Sequence, residues 1–296
     1  MKILTSSYGL DLSGVPTFTL AMYNELVNRG HSITVYSPLG GKLETQMNTV
    51  CEPQDAEAPD IIVAQNNICA ETLRETFPNI PLIFYSHSIW VEMEQPPTFS
   101  ADKYIAINET VAKNMQYKGV NTKKITIIRD FVDTKRFSPT IPIHNKLKNV
   151  LFVSNYKKWN NFKAVSRACE KIGANLHCVG SPYGRSENIE KEINKADLVI
   201  SWGRGIIEAM ACGRAVVSFD KLMGDGYIDE EKYFSARRDN FCGYLSQHDF
   251  NSVDALAAEL LKYDAKSAEV NRGLATKYHN ATHGVDSILA VIHELI

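Results

Sequence analysis

Ala196–Val217 reads ADLVISWGRGIIEAMACGRAVV, and its apolar runs and glycine turns predict a buried strand, a turn, a short helix and a second strand. Leu198, Val199 and Ile200 make the first run, Glu208 rides on the helix, and Ala215 opens the second strand. A strand ending in Gly203-Arg204-Gly205 lets backbone approach a ligand closely. The following helix would aim unpaired N–H groups at the same spot, an arrangement that binds anions. Arg204 adds a fixed positive charge there. A carboxylate about one turn into that helix does not want a phosphate, but it can accept from both vicinal hydroxyls of a ribose. A plainer reading has Glu208 complementing the helix dipole and Gly213 capping the helix. The segment alone leaves both readings open.

The 296 residues are 44% hydrophobic and 22% charged, enough for one large core or two ordinary ones, and the length favours two domains. A net charge of −2 offers no global field for nucleic acid or anionic membrane, so such partners would need a local patch. No apolar run is long enough to span a bilayer. The opening MKILTSSYGL is too short and polar for a signal peptide, so a cytoplasmic protein is expected. The six cysteines form no CxxC pair and lie mostly in apolar patterns, which suggests buried free thiols.

Strand and helix patterns alternate through both halves. Strands are expected at Ile3–Thr5, Ile33–Tyr36, Ile61–Ala64, Leu82–Tyr85, Tyr104–Ile107 and Ile125–Ile128, with helices from Pro16 to about Arg29, Cys69–Thr76 and Glu109–Tyr117. After the polar, Pro-containing Thr140–Lys148 stretch, read as a linker, a second series begins. It comprises Val150–Val153, a helix over Asn161–Ile172, Asn175–Val179, a helix near Glu187–Asn194, Leu198–Ile200, the Glu208 helix and Val216–Phe219. Helical patterns close the chain at Asn251–Lys262, Lys266–Tyr278 and Val285–Ile296. The expected fold class is α/β, with two doubly wound Rossmann-like domains over residues 1–143 and 144–296 facing across a cleft. The last helix is a candidate to pack back on the first domain. In such sheets ligands sit at the carboxyl ends of strands, which singles out the loops after Thr5, Tyr85, Val153, Val179 and Ile200.

Four segments, GVPTFTLAMYNELVNRGHSITVYSP (Gly14–Pro38), IIRDFVDTKRFSP (Ile127–Pro139), LFVSNYKKWNNFKAV (Leu151–Val165) and the Glu208 segment, together resemble one family. It is the retaining nucleotide-sugar glycosyltransferases of the two-Rossmann-domain (GT-B) type, family four. The Glu208 segment is similar to a variant subgroup with a G-R-x-x-x-E-A-M-A-C-G-R motif, as is DGYIDEEKYFSARRDNFCG (Asp225–Gly243). The resemblance implies sugar transfer from a nucleoside-diphosphate sugar, with retention and without metal. Same-face attack is implied, the leaving phosphate oxygen helping to take the acceptor's proton. Glu208 would hold the ribose, and Ser13, Gly14, Gly203 and Gly205 would approach the donor. Arg204 with Lys157 or Lys158 would stabilise the diphosphate, and His87, which follows an apolar run, matches a histidine placed near the donor sugar. The family's acidic residue eight positions before the second glutamate is replaced by Ile200, and its arginine after the first strand of the second domain by Ser154-Asn155.

No cofactor is expected beyond the nucleotide-sugar co-substrate. The acceptor, whether sugar, lipid, protein or nucleic acid, is not readable, and peripheral membrane contact through a local patch stays open. The absence of an Asp-x-Asp pair argues against a metal-dependent transferase, and no P-loop, G-x-G-x-x-G or G-x-S-x-G signature is present. Two alternatives stand beside transfer. A metal-free sugar-nucleotide epimerase would need a carboxylate partner for His87, which the sequence does not clearly place. The other is a non-catalytic sugar-nucleotide-binding protein.

Overall fold

The computed structural model describes residues 1–155, 161–221, 223–246, 248–250 and 252–296. It divides into two compact α/β units, Met1–Asp130 with Ala281–Ile296, and Phe131–Asn280. In unit 1 the strands β1 (Lys2–Ser6), β2 (Ser32–Tyr36), β3 (Thr49–Val50), β4 (Ile61–Ala64), β5 (Leu82–Ser86), β6 (Lys103–Ala106) and β7 (Ile125–Ile127) form a parallel sheet in the order β3-β2-β1-β4-β5-β6-β7. Every residue of β4 and β5 is buried, as a sheet covered on both faces requires. Helices α1 (Gly14–Asn28), α2 (Asn67–Thr76) and α3 (Glu109–Tyr117) return the chain between strands. Asn66 and Asn108 cap α2 and α3 by accepting from the N–H groups of Cys69 and Val111. The chain runs from β1 outward to β3, then crosses to β4 on the other side of β1. That crossing puts the topological switch point of unit 1 at the carboxyl ends of β1 and β4.

Unit 2 runs β8 (Asn149–Val153), α4 (Asn161–Ile172), β9 (Asn175–Val179), α5 (Ile189–Lys195), β10 (Leu198–Ser201), α6 (Arg204–Ala211), β11 (Ala215–Asp220), β12 (Met223–Ile228), α7 (Glu230–Ala236), β13 (His248–Asp249), α8 (Val253–Leu260) and α9 (Ala265–Tyr278). The sheet order is β13-β12-β11-β10-β8-β9, parallel from β11 to β9 and antiparallel at β12 and β13. Alternation along the strands divides the core in two. Leu151, Val199 and Val216 face Ile206 and Met210 of α6 and Ala275 of α9, whereas Phe152, Leu198, Ile200 and Val217 face Val165 of α4 and Leu256 of α8. Here β9 lies to one side of β8 and β10 to the other, so the switch point is at the ends of β8 and β10.

The division at Asp130/Phe131 differs from the boundary expected at 143/144, because Val132 and Phe137 are already in the core of unit 2. Nor is Thr140–Lys148 loose. Asp197, buried at the start of β10, accepts from the N–H groups of His144, Lys148 and Asn149, and Thr140 N–H donates to Asn194 Oδ1 at 2.8 Å. The chain then re-enters unit 1 as α10 (Ala281–His293), which packs on α1. Arg29 ties them, Nη1 donating to Asp286 Oδ1 at 2.6 Å and Nη2 to Thr282 O at 2.8 Å. The pairs β12 and β13, the helix α7 and the short β3 were not expected from the apolar pattern.

Arg214, at the end of the G-R-x-x-x-E-A-M-A-C-G-R stretch, is 1% exposed. It donates to Cys212 O, Ala196 O, Ile141 O and Asn194 Oδ1, closing the end of α6 against the strand it leads into. Burial lowers its pKa, and these acceptors compensate the guanidinium. Arg214→Met would orphan several buried acceptors at about 1–3 kcal/mol for the worst of them. The expected result is a loss of about 3 kcal/mol by denaturant titration with an unchanged m value.

Candidate functional site

Two polar clusters sit at strand carboxyl ends, one in each unit. In unit 2 the chain leaves β10 through Trp202 and Gly203. Gly203 has φ of 58°, in the left-handed region that favours glycine, and serves as N-cap of α6. At Gly205 a Cβ would come within 2.2 Å of Ser201 Oγ, so the turn closes only with glycine or a displaced serine. The helix then places Arg204 and Glu208 one turn apart. Arg204 Nε donates to Glu208 Oε1 at 3.0 Å and Nη1 donates to Phe131 O, with the two residues 8% and 9% exposed. The expected cation and carboxylate are therefore one buried ion pair.

The first amides of α6 are not all unpaired, contrary to expectation. Gly205 N–H donates to Trp202 O at 3.3 Å and Ile206 N–H to Gly203 O at 3.1 Å, because the helix opens with a tight turn. Around this turn, Trp202 meets Tyr244 edge-on with centroids 5.5 Å apart. Lys221, at the end of β11 with φ of 47°, holds its ammonium 5.1 Å from the Trp202 ring. Asp220 accepts from Ser154 Oγ at 2.8 Å and from Asn161 Nδ2, anchoring the chain on both sides of residues 156–160. Burial raises the Asp220 carboxyl, opposed by these hydrogen bonds. Lys157 and Lys158 lie outside the described residues.

In unit 1, His87 follows β5, stacked on Tyr85 with centroids 4.7 Å apart and edge-on to Phe18 at 4.8 Å. Its Nε2 is 3.0 Å from Gln65 Oε1 and its Nδ1 3.8 Å from Asp130 Oδ1. The buried Glu94 carboxyl lies within electrostatic reach of His87. Burial pushes the Glu94 carboxyl up, with the charge of His87 opposing and that of Asp130 reinforcing the shift. Glu94 Oε2 is buried without a hydrogen-bond partner. Ser13 and Gly14 open α1 on the surface, and no hydrogen bond or ion pair joins either to His87.

Gln65, Glu94, Asp130 as a partner of His87, Trp202 and Lys221 were not assigned from sequence. Gln65 and Lys221 each directly follow an apolar strand, a signal that was available. Cys69, Cys169 and Cys212 are buried as expected, but Cys51 is exposed and Cys178 and Cys242 are intermediate. Among the described residues no group of three or more His, Cys, Asp or Glu side chains could hold a metal ion. No helix among them is long and apolar enough to cross a membrane.

The chain superposes over its whole length on Anabaena HepE in complex with UDP, with a TM-score of 0.70 and 16% identity, covering 100% of both chains. This is the GT-B fold. Sucrose-phosphate synthase from Thermosynechococcus elongatus matches the same architecture with a TM-score of 0.71 and 13% identity over 99% of this chain and 98% of that one. A Listeria monocytogenes protein described as a UDP-N-acetylglucosamine 2-epimerase shares it at 0.61 and 12%, over 98% and 95%. No family model matches the chain, and no curated protein matches it significantly in sequence. At these identities the likeness to GT-B structures is one of fold.

The turn at Gly203 is backed by residues 237–246, Gly203 N–H donating to Phe241 O at 3.4 Å. Asp239 in that segment accepts from the N–H groups of Cys242 and Leu245. Burial, then the charge of Asp225, pushes its carboxyl up from 3.8 to about 6. A raised folded-state pKa means the folded protein binds the proton more tightly. Asp239 thus contributes stability below pH about 4 that is lost as pH rises through about 6. Raising pH from 4 to 7 should therefore destabilise the wild type more than Asp239→Asn, read as melting temperature against pH. Parallel curves would contradict it.

Proposed function

We propose that the protein is a glycosyltransferase that takes its sugar from a nucleoside-diphosphate sugar. The observation that carries this reading is the buried Arg204–Glu208 pair at the switch point of unit 2, where an open α/β sheet binds ligands. The likeness to HepE, which is seen with UDP and with UDP-glucose, supports the ligand class. Glu208 would accept from the ribose hydroxyls, its carboxylate aimed by Arg204. The charge of Arg204, the Gly203–Gly205 turn and Lys157 or Lys158 would stabilise the diphosphate as the glycosidic bond breaks, with Lys221 a further cation at the strand ends. Ser13 and Gly14 would contact the donor, and His87 would orient or polarise a sugar hydroxyl. Retention, by attack of the acceptor on the face from which the phosphate leaves, and independence from metal, with side-chain cations facing the diphosphate, belong to the proposal.

Thermal shift with UDP, GDP, ADP and CDP and their sugar conjugates, with and without magnesium, tests this. A ligand at 100 times its dissociation constant should stabilise by about 2.7 kcal/mol. Glu208→Gln keeps a neutral acceptor for Arg204 and should retain the fold while weakening the preferred nucleotide roughly tenfold or more, about 1.4 kcal/mol. Glu208→Ala leaves a buried guanidinium without its carboxylate and should cost about 3–5 kcal/mol of stability besides. Unchanged nucleotide affinity in Glu208→Gln would return Glu208 to a purely structural role.

A specific observation also favours the epimerase reading: two carboxyl groups, Asp130 and Glu94, lie beside His87. Incubation of a nucleotide-sugar without acceptor separates the two. Transfer predicts unchanged or slowly hydrolysed donor, whereas epimerisation predicts a new sugar on the same nucleotide, resolved by NMR.

A further inference from the structure

Gln65 is fully buried, and its amide orientation is set by neighbours whose own protons are committed. Thr5 Oγ1 donates to Val63 O and Thr19 Oγ1 donates to Val15 O, both at 2.9 Å. Each hydroxyl can therefore only accept from Gln65, and Gln65 Nε2 donates to Thr19 Oγ1 at 2.8 Å and to Thr5 Oγ1 at 3.3 Å. The amide oxygen is left facing His87 Nε2 at 3.0 Å. An acceptor at that distance requires a proton on Nε2. The opposite tautomer would set two lone pairs against each other inside the protein, and turning the amide over would break both threonine-to-carbonyl bonds. Stacking on Tyr85 and the edge of Phe18 fix the plane of the imidazole, so it cannot rotate out of the arrangement.

The other nitrogen is in a different position. Nδ1 lies 3.8 Å from Asp130 Oδ1, too far for a hydrogen bond and too close for an oxygen on the line between them, but an oxygen to the side of that line can hydrogen-bond to both. We propose that Gln65 is a positioning residue that holds the His87 proton on Nε2, leaving Nδ1, the nitrogen toward Asp130, as the one that exchanges a proton with a ligand hydroxyl. The hydroxyl is that of the sugar or acceptor if the transferase reading holds, on which this use of Nδ1 rests. In the exchange the hydroxyl proton passes to the Nδ1 lone pair, giving an imidazolium beside the Asp130 carboxylate, and it returns from Nδ1 by the same route. Nε2–H stays with Gln65 throughout.

The test is nitrogen NMR of the free protein labelled at histidine, followed through a pH titration, so it needs no substrate. Wild type should show His87 as the Nε2–H tautomer with Nδ1 taking up the proton on acidification. Gln65→Met should lose that preference and populate Nδ1–H. Gln65→Glu keeps an acceptor toward Nε2–H, at the cost of turning the Thr5 and Thr19 hydroxyls from their carbonyls to the second carboxylate oxygen, and should restore the preference, the carboxylate also favouring the charged imidazole. Should Gln65→Met fail to fold, Thr19→Val removes one anchor of the amide from outside the ring contacts and should weaken the preference in the same direction.

In a turnover assay, Gln65→Met should lower kcat on the order of tenfold or more with a much smaller change in KM. Gln65→Glu should recover activity with the acid limb of its pH profile moved upward. A wild-type Nδ1–H tautomer, or a Gln65→Met tautomer identical to wild type, overturns the proposal. So does a changed tautomer with unchanged kcat. Absence of any transfer by wild type, with the spectra as expected, would instead count against the transferase reading and leave the tautomer assignment standing.

Discussion

A parallel strand cannot be followed directly by its neighbour, because the chain must first travel back along the sheet, and here it does so through helices or through loops with a single 3-10 turn. That constraint governs both units. It sends every parallel strand in the same direction, gathers their carboxyl ends on one edge and leaves a gap wherever the winding reverses. The polar residues with chemistry to offer stand at those edges. Gln65 and His87 directly follow β4 and β5, Ser154 follows β8, and the Gly203 turn follows β10. The strands behind them are so thoroughly buried that the edges are where their polar neighbours can meet a ligand.

The two clusters solve different electrostatic problems. In unit 2 a guanidinium and a carboxylate neutralise each other on one turn of α6, so burying both costs less than burying either alone. Their hydrogen bond also fixes the direction of the carboxylate before any ligand arrives, which lowers the ordering cost of binding. In unit 1 the groups are not mutually satisfied. An imidazole lies close to two carboxyls, one of them with a buried oxygen that lacks a partner, and the ordering comes from a chain of hydroxyls and an amide behind the ring. The first arrangement suits holding a ligand and the second suits moving a proton.

The α/β winding was legible because each parallel strand is a compact apolar run. Ile61–Ala64 was read with its observed limits, and Asn161–Ile172 shows its helical spacing plainly. The antiparallel β12, MGDGYI, escaped notice because two glycines and an aspartate interrupt any apolar pattern. The Arg204–Glu208 contact could have been read from their spacing of four on a helix, although the segment suggested two groups facing a ligand rather than each other. His87 was found from its place after a strand. Its neighbours were not, since Asp130 is distant in sequence, Glu94 ends a short 3-10 turn with no apolar pattern, and Gln65 reads as an ordinary polar residue ending an apolar run. Proximity of that kind is created by the winding and leaves no local trace.

Unit 1 is discontinuous, with α10 added to it after the whole of Phe131–Asn280 has been synthesised. Val285, Ile288 and Ile292 of that helix are fully buried, and Arg29, just after α1, finds its partners there. On the ribosome, therefore, the order of completion is reversed. The unit begun first must wait, with the α1 surface that receives α10 still bare, while the unit begun second can close within one continuous stretch of chain. A nascent chain halted near Asn280 would carry one finished unit and one unfinished, which leaves the uncovered side of α1 as apolar surface that a chaperone could shield during synthesis.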